Sequence, residues 1–406
     1  MKHKGLLTAA VLATTLAMAA CSTTGGGTSP NNSKAPETGP IKIGMVVPLT
    51  GPYAPLGTGD KAAAEQQVAA INAAGGIDGR QVELIVKDDK TDVTQSVTEY
   101  NQLAADKSVS AILSSSFASA SAATAPSAET NKIPTLALSP ISVLASGSNK
   151  YAFVVPATPE VYAQAMVDYF TATGVKSIAI GYAGGDVYGQ TGNDATKAAA
   201  SKAGLDIAMD EAYDQTATDF SALITHVQNS KADGLLVWGA GPAPVIITKQ
   251  MRAKAPGVQV YMTGAEASSL YVKPSGDAAE GVIMSSSVAV PTDQLPDGPY
   301  KTLLDSFVTP WKSANDGVNP PQFAFDGATG IGLIKAAIEK AKSSDRDAIR
   351  DALESTDALM INGHFKYSPT DHAGLTTDAV AIVEVKGGQF VATDYSLGRF
   401  KTNLPK

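Results

Sequence analysis

The chain opens its ordered part with a change of hydrophobic period. Ile41 to Val47 is a short apolar, β-branched run, the pattern of a strand buried on both faces of a parallel sheet. Pro48, Gly51 and Pro52 break it, because neither residue type extends a central strand. From about Asp60 to Ala74 the apolar positions Ala64, Val68 and Ile71 recur at helical spacing, and Gly75-Gly76 ends the helix. Val82 to Val86 reads as a second strand and closes on Asp88-Asp89. The stretch is a β-α-β unit. Ligands of such units sit at the carboxyl ends of the strands, which points to the loop of Thr50 to Gly59, including Tyr53, and to the neighbourhood of Asp88.

The alternation continues. Helices are predicted over Asp92–Ala105 and Ser116–Thr130, with strands at Val109–Leu113 and Pro134–Leu138, and Ala152–Val155 reads as an extended crossing segment. A second series opens with a helix from about Pro159 to Thr173. Its strands are Ser177–Gly181, Leu205–Met209, Gly234–Trp238, Val258–Met262 and Val282–Val288, with helices near 188–203, 217–230 and 243–254. Helical patterns follow at 300–316, 325–342 and 345–354, then a strand near 378–386 and a charged tail. Two series of strand–helix alternation predict an α/β fold in two lobes, each a mostly parallel sheet with helices on both faces.

A length of 406 residues exceeds one compact core and agrees with two lobes. The net charge of −8, without a basic stripe, argues against a nucleic-acid surface. The single cysteine excludes an intrachain disulfide. His3, His226, His364 and His372 are scattered without metal-ligand spacing, so no metal is expected.

Lys2 and Lys4 precede an uncharged apolar run from Leu6 to Ala20, too short for a membrane span and matching a secretory signal over residues 1–20. It ends Leu16-Ala17-Met18-Ala19-Ala20-Cys21, which resembles the lipobox of bacterial lipoproteins, where the thiol is lipidated after cleavage. Ser22 to Pro40 is rich in Ser, Thr, Gly, Asn and Pro, the composition of a flexible linker. The expectation is a globular body anchored outside the cytoplasmic membrane through Cys21.

Two motifs fail on chemistry. Gly184 to Thr191 has phosphate-loop glycine spacing but carries Gln190 in place of the lysine that faces the phosphates. Gly239-Ala240-Gly241 follows a strand, yet Pro242-Ala243-Pro244 replaces the rest of a dinucleotide fingerprint. There is no G-x-S-x-G elbow, and His226 reads as a structural helix residue. No catalysis and no cofactor are expected.

Binding chemistry is better placed. Ser114, Ser115 and Ser116 stand where a strand ends and a helix begins, where hydroxyls and free amides attract a carboxylate or simply cap the helix. Ser139 ends the next strand, as a partner of that crevice or a turn before Pro140. Tyr188 and Glu266 follow strands of the second series; Glu266 is a loop charge or the partner of a ligand ammonium.

Over nearly all of residues 41–395 the chain resembles the branched-chain-amino-acid-type solute-binding proteins of ABC importers. The resemblance rests on the strand, T-G-P turn, helix and G-G-I-x-G-R hairpin of residues 41–89. It also rests on the serines at 114–116, Ile178 to Gly189, Asp219 to Ile224 and Asp277 to Gly281. It implies a periplasmic-binding-protein type I fold with three hinge crossings, one lobe of about 41–158 plus 290–365 and another of about 159–289 plus 366–406. By position, Ser114 to Ser116 and Ser139 would hold an α-carboxylate, Tyr188 would line the ligand, and Glu266 would take the ammonium. A threonine of the family that helps hold the ligand falls on Ile141 or Val143, and aromatic positions near the side-chain pocket fall on Leu56 and Gly241. The implied function is a monomeric, lipid-anchored receptor that presents an aliphatic amino acid to permease subunits. An amide, urea-like or small organic acid ligand, a sensory role and an extracytoplasmic hydrolase stand as alternatives.

Overall fold

The computed structural model of the protein describes residues 38–405. The expected leader, Cys21 and nearly all of the linker lie outside them. The first sheet consists of β1 (Ile41–Val47), β2 (Val82–Asp88), β3 (Val109–Ser114), β4 (Thr135–Ala137) and β5 (Ala152–Val154). All its pairings are parallel, in the order β2-β1-β3-β4-β5. Helices α1 (Ala54–Ala73), α2 (Val93–Ala105) and α3 (Ala118–Asn131) connect its first four strands.

Helix α4 (Pro159–Thr173) leads to the second sheet, which begins with β6 (Ser177–Ala183), β7 (Asp206–Tyr213), β8 (Gly234–Trp238), β9 (Gln259–Met262) and β10 (Ile283–Ser287). Between these strands run α5 (Val187–Ala203), α6 (Ser221–Ser230), α7 (Pro242–Lys254) and α8 (Ser269–Ser275). The order β7-β6-β8-β9-β10 repeats that of the first sheet. The chain then forms α9 (Pro299–Ala314), α10 (Gln322–Ala341), α11 (Arg346–Glu354) and a hairpin of β11 (Asp357–Met360) and β12 (Gly363–Lys366). Antiparallel β13 (Val380–Lys386) and β14 (Gln389–Ala392) extend the second sheet beside β10, and α12 (Asp394–Phe400) follows. The chain passes between the sheets after β5, after β10 and after β12. This is an α/β fold of mostly parallel sheets.

In both sheets the strand order reverses direction at the first strand of its series. Connections on either side of such a point leave to opposite faces and open a crevice at the strand ends. The loops after β1 and β3 therefore flank one crevice, and those after β6 and β8 flank the other.

Helices α1 and α10 pack along each other with almost nothing between them. A Cβ on Gly327 would lie 2.2 Å from the Asp60 carbonyl oxygen, and one on Gly57 would lie 2.2 Å from that of Pro48. Both neighbours are backbone and cannot rotate away. The seam sets α1 against the end of β1 and α10 against α1.

The departures from the sequence reading have local causes. β7 runs on to Tyr213 because it is the edge strand, where Asp210 and Glu211 stay in contact with water. α3 starts at Ala118, not Ser116, since Phe117 is extended and its N–H donates to Ser115 Oγ at 3.0 Å. The tail contains β14 and α12, whose short patterns carry no clear period. Among the described residues no helix is long and apolar enough to cross a membrane.

Gly327→Ala is expected to destabilise the protein by about 3 kcal/mol, the upper range for overpacking a site that cannot relax. Urea melts of the variant and the parent chain check this.

Candidate functional site

The two crevices face each other, and hydrogen bonds span them. Tyr53 Oη, from the loop after β1, donates to Gln215 Oε1 beyond β7 at 2.6 Å. Ser119 Oγ on α3 donates to Asp186 Oδ1 before α5 at 2.9 Å, and accepts from the Val187 N–H at 3.3 Å. The Tyr53 and Phe117 rings meet edge to face, with centroids 5.0 Å apart. Beneath these contacts lies a small cavity of about 20 Å³, with Tyr53, Ser116, Asp186, Tyr188, Phe323 and Asp326 in its wall.

A larger cavity of about 290 Å³ adjoins it, sharing Leu56, Ala265 and Phe323. Its wall is mostly apolar, with Pro55 on one side and Val245, Ile246 and Tyr271 on the other. Glu266 is its acidic group. No cationic side chain is among the described residues lining either cavity.

Tyr53, Ser116 and Tyr188 thus meet around the small cavity, and Glu266 borders the larger one. Tyr188 donates from Oη to Thr263 Oγ1 at 2.6 Å, which fixes its ring. Ser116 Oγ is buried without a well-aligned hydrogen bond among the described residues. The other serines point elsewhere. Ser114 Oγ shares a hydrogen bond with Ser121 Oγ at 3.3 Å, and Ser115 Oγ donates to Asp89 Oδ2 at 2.6 Å. Ser139 is fully buried, its Oγ unpartnered among the described residues, and lines neither cavity.

Glu266 sits in a 3-10 turn after β9 and is 4% exposed. Burial pushes its carboxyl well above the usual carboxylate range, against the opposing pull of the Gly241 N–H. Its Oε1 has no hydrogen-bond partner among the described residues. A buried acid with a free oxygen is poised to ionise when a cation arrives, since the pairing restores what desolvation removed.

The sequence did not point to Asp186, Asp60 or Asp326. Burial raises Asp186, although Ser119 and the amides of Val187 and Tyr188 offset part of the rise. Asp60 and Asp326 are both fully enclosed in the α1–α10 seam. Burial and the adjacent Asp326 push Asp60 well up, while Ser116 and the Gly327 N–H counter weakly. Asp326 is raised by burial too, against a 2.5 Å hydrogen bond from Asn362 Nδ2. No local sequence signal marks this pair, because its members lie far apart in the chain and meet only through helix packing. Among the described residues no cluster of His, Cys, Asp and Glu is arranged to hold a metal.

Residues 40–389 match the family described as periplasmic binding protein. The chain belongs to that family. Such proteins bind solutes outside the cytoplasm and are not enzymes. Among its relatives, a Leu/Ile/Val-binding protein homolog of Brucella melitensis is 27% identical over 76% of this chain and 81% of that protein. A leucine-, isoleucine-, valine-, threonine- and alanine-binding protein of Pseudomonas aeruginosa is 26% identical over 78% of this chain and 82% of that protein. An extracellular ligand-binding receptor from Rhodopseudomonas palustris superposes with a TM-score of 0.79 at 25% identity, covering 88% of this chain and all of that one. The branched-chain amino acid binding protein of Streptococcus pneumoniae, solved with isoleucine, shares the fold: TM-score 0.76, 20% identity, 87% of this chain and 98% of that one.

The raised carboxyls of this periplasmic binding protein make its stability depend on pH. Asp60 and Asp326 keep protons in the folded state that the unfolded chain has already released, so stability falls as pH rises above about 4. Melting temperatures of ligand-free protein should be higher at pH 5 than at pH 8. Asp60→Asn should flatten that slope and add on the order of 1 kcal/mol at pH 8, read from denaturant melts at both pH values.

Proposed function

We propose that the protein is the receptor of an ABC importer, taking up an α-amino acid with an apolar side chain between two lobes and handing it to permease subunits. The observation that carries this reading is Glu266, a buried acid whose Oε1 has no hydrogen-bond partner among the described residues, on the wall of an apolar cavity with no cationic side chain among its described lining. An ammonium group attached to an apolar body complements both features. Ser116, whose hydroxyl makes no well-aligned hydrogen bond among the described residues, and the first amides of α3, which have no intrahelical partner, are suited to the carboxylate. Tyr53 and Tyr188 would close over the polar end.

The aliphatic amino acids in the relatives' names belong to this ligand class and are the first to test. In this reading residues 41–158 plus 290–365 form one lobe and 159–289 plus 366–406 the other. The ligand's groups are divided between them, so bound solute adds to whatever stability the closed form has on its own. Cys21 would carry the lipid that keeps the receptor at the membrane.

Refolded protein freed of carried-over solute should show a clear thermal shift with amino acids, because ligand at about 100-fold its dissociation constant adds about 2.7 kcal/mol. Glu266→Gln should abolish that shift while leaving the ligand-free melt close to that of the parent. A shift with small carboxylates or amides alone, unaffected by Glu266→Gln, would refute the ammonium role.

A further inference from the structure

The larger cavity sets a size for the ligand's apolar part. Resting on the amino-acid reading above, we infer that this cavity is the side-chain subsite and that the receptor prefers aromatic amino acids to branched-chain ones. The argument begins with volume. A cavity of about 150 Å³ lined by apolar side chains holds a benzene ring. The cavity here is about 290 Å³. An isobutyl or sec-butyl group is smaller than that ring and would leave more than about half of the space to water or void, forfeiting contacts with the opposite wall.

The wall chemistry agrees. Phe323 and Tyr271 line the cavity from opposite parts of the chain, and both are buried. Tyr271 shares its hydroxyl with Thr248 Oγ1 at 2.8 Å, so its ring is left for apolar contact. Rings of this kind gain from edge and offset contacts with another ring beyond simple burial. Val245 and Ile246 on α7 are only half-buried although apolar, and Leu270 is 47% exposed at the mouth. These side chains would be covered by a large apolar group and left partly wet by a small one. Glu266 borders the same space, with an unpartnered oxygen among the described residues. An amino group and a bulky apolar group on one carbon therefore fit it together, while the adjoining small cavity is suited to the carboxylate alone.

Isothermal titration of the purified chain, refolded free of solute, with phenylalanine, tryptophan, leucine and isoleucine tests the inference. An aromatic amino acid should bind at least about tenfold more tightly than leucine. Ile246→Trp places bulk inside the cavity and should invert the order. Val245→Phe, on the same helix, serves if that variant does not fold, which its ligand-free melt reveals. Leucine binding as tightly as the aromatic amino acids in the parent chain would overturn the size assignment and leave the receptor reading intact. Equal weakening of both ligands in a folded cavity variant would overturn the placement of the side chain. No binding of any amino acid would overturn both readings.

Discussion

The close passage of α1 and α10 is the constraint on which the cleft depends. Gly327 lets α10 meet the α1 backbone at Asp60, and Gly57 lets α1 meet the chain at Pro48 after β1, each where any side chain would collide with a carbonyl oxygen. The first turns of both helices then project into the same space, Tyr53 and Leu56 beside α1 and Phe323 and Asp326 from α10. The start of α10 is fixed from two further directions. Gln322 Nε2 donates to Tyr162 Oη on α4 at 2.8 Å, and its Oε1 accepts from the Ser287 N–H at the end of β10 at 2.8 Å. One side chain thus ties the first sheet's helices to the second sheet. The same seam forces Asp60 and Asp326 together, and burial keeps them protonated rather than mutually repelling.

Electrostatically the cleft is one-sided. Asp186, Asp326 and Glu266 border it without a cationic side chain among the described lining residues, and burial raises all three. Burial raises the carboxyls near the small cavity, which lessens their repulsion of a carboxylate, whereas an ammonium can draw a proton off the acid that faces it. The selectivity of such a site lies in which acid ionises. Glu266 has the simplest surroundings, opposed only by the Gly241 N–H.

The fold was legible because strands such as β1, β3, β6 and β8 are short, largely apolar runs, with Gly- and Pro-containing turns among the connections. The repeated order of alternation implied two parallel sheets. What escaped was material without a period: the edge extension of β7, the β11–β12 hairpin and the elements of the tail. The site was legible in part. Strand-end positions are marked by where apolar runs stop, which located Tyr53, Ser116, Tyr188 and Glu266. Side-chain direction is not so marked. Ser114, Ser115 and Ser116 are neighbours in sequence, yet one faces α3, one ties down Asp89 and one faces the cavity. The Asp60–Asp326 pair depends on helix packing and leaves no local trace.

The hydrogen bonds from Tyr53 to Gln215 and from Ser119 to Asp186 bear on time as well as on affinity. Both cross from elements of the first sheet to those of the second, and neither needs the solute as a partner. In a receptor of the proposed kind they latch the lobes once these have met, so escape of the solute waits on their rupture. Capture can then proceed at the rate of encounter while residence is governed by the latch. Differences in affinity among solutes would appear chiefly in how long each stays.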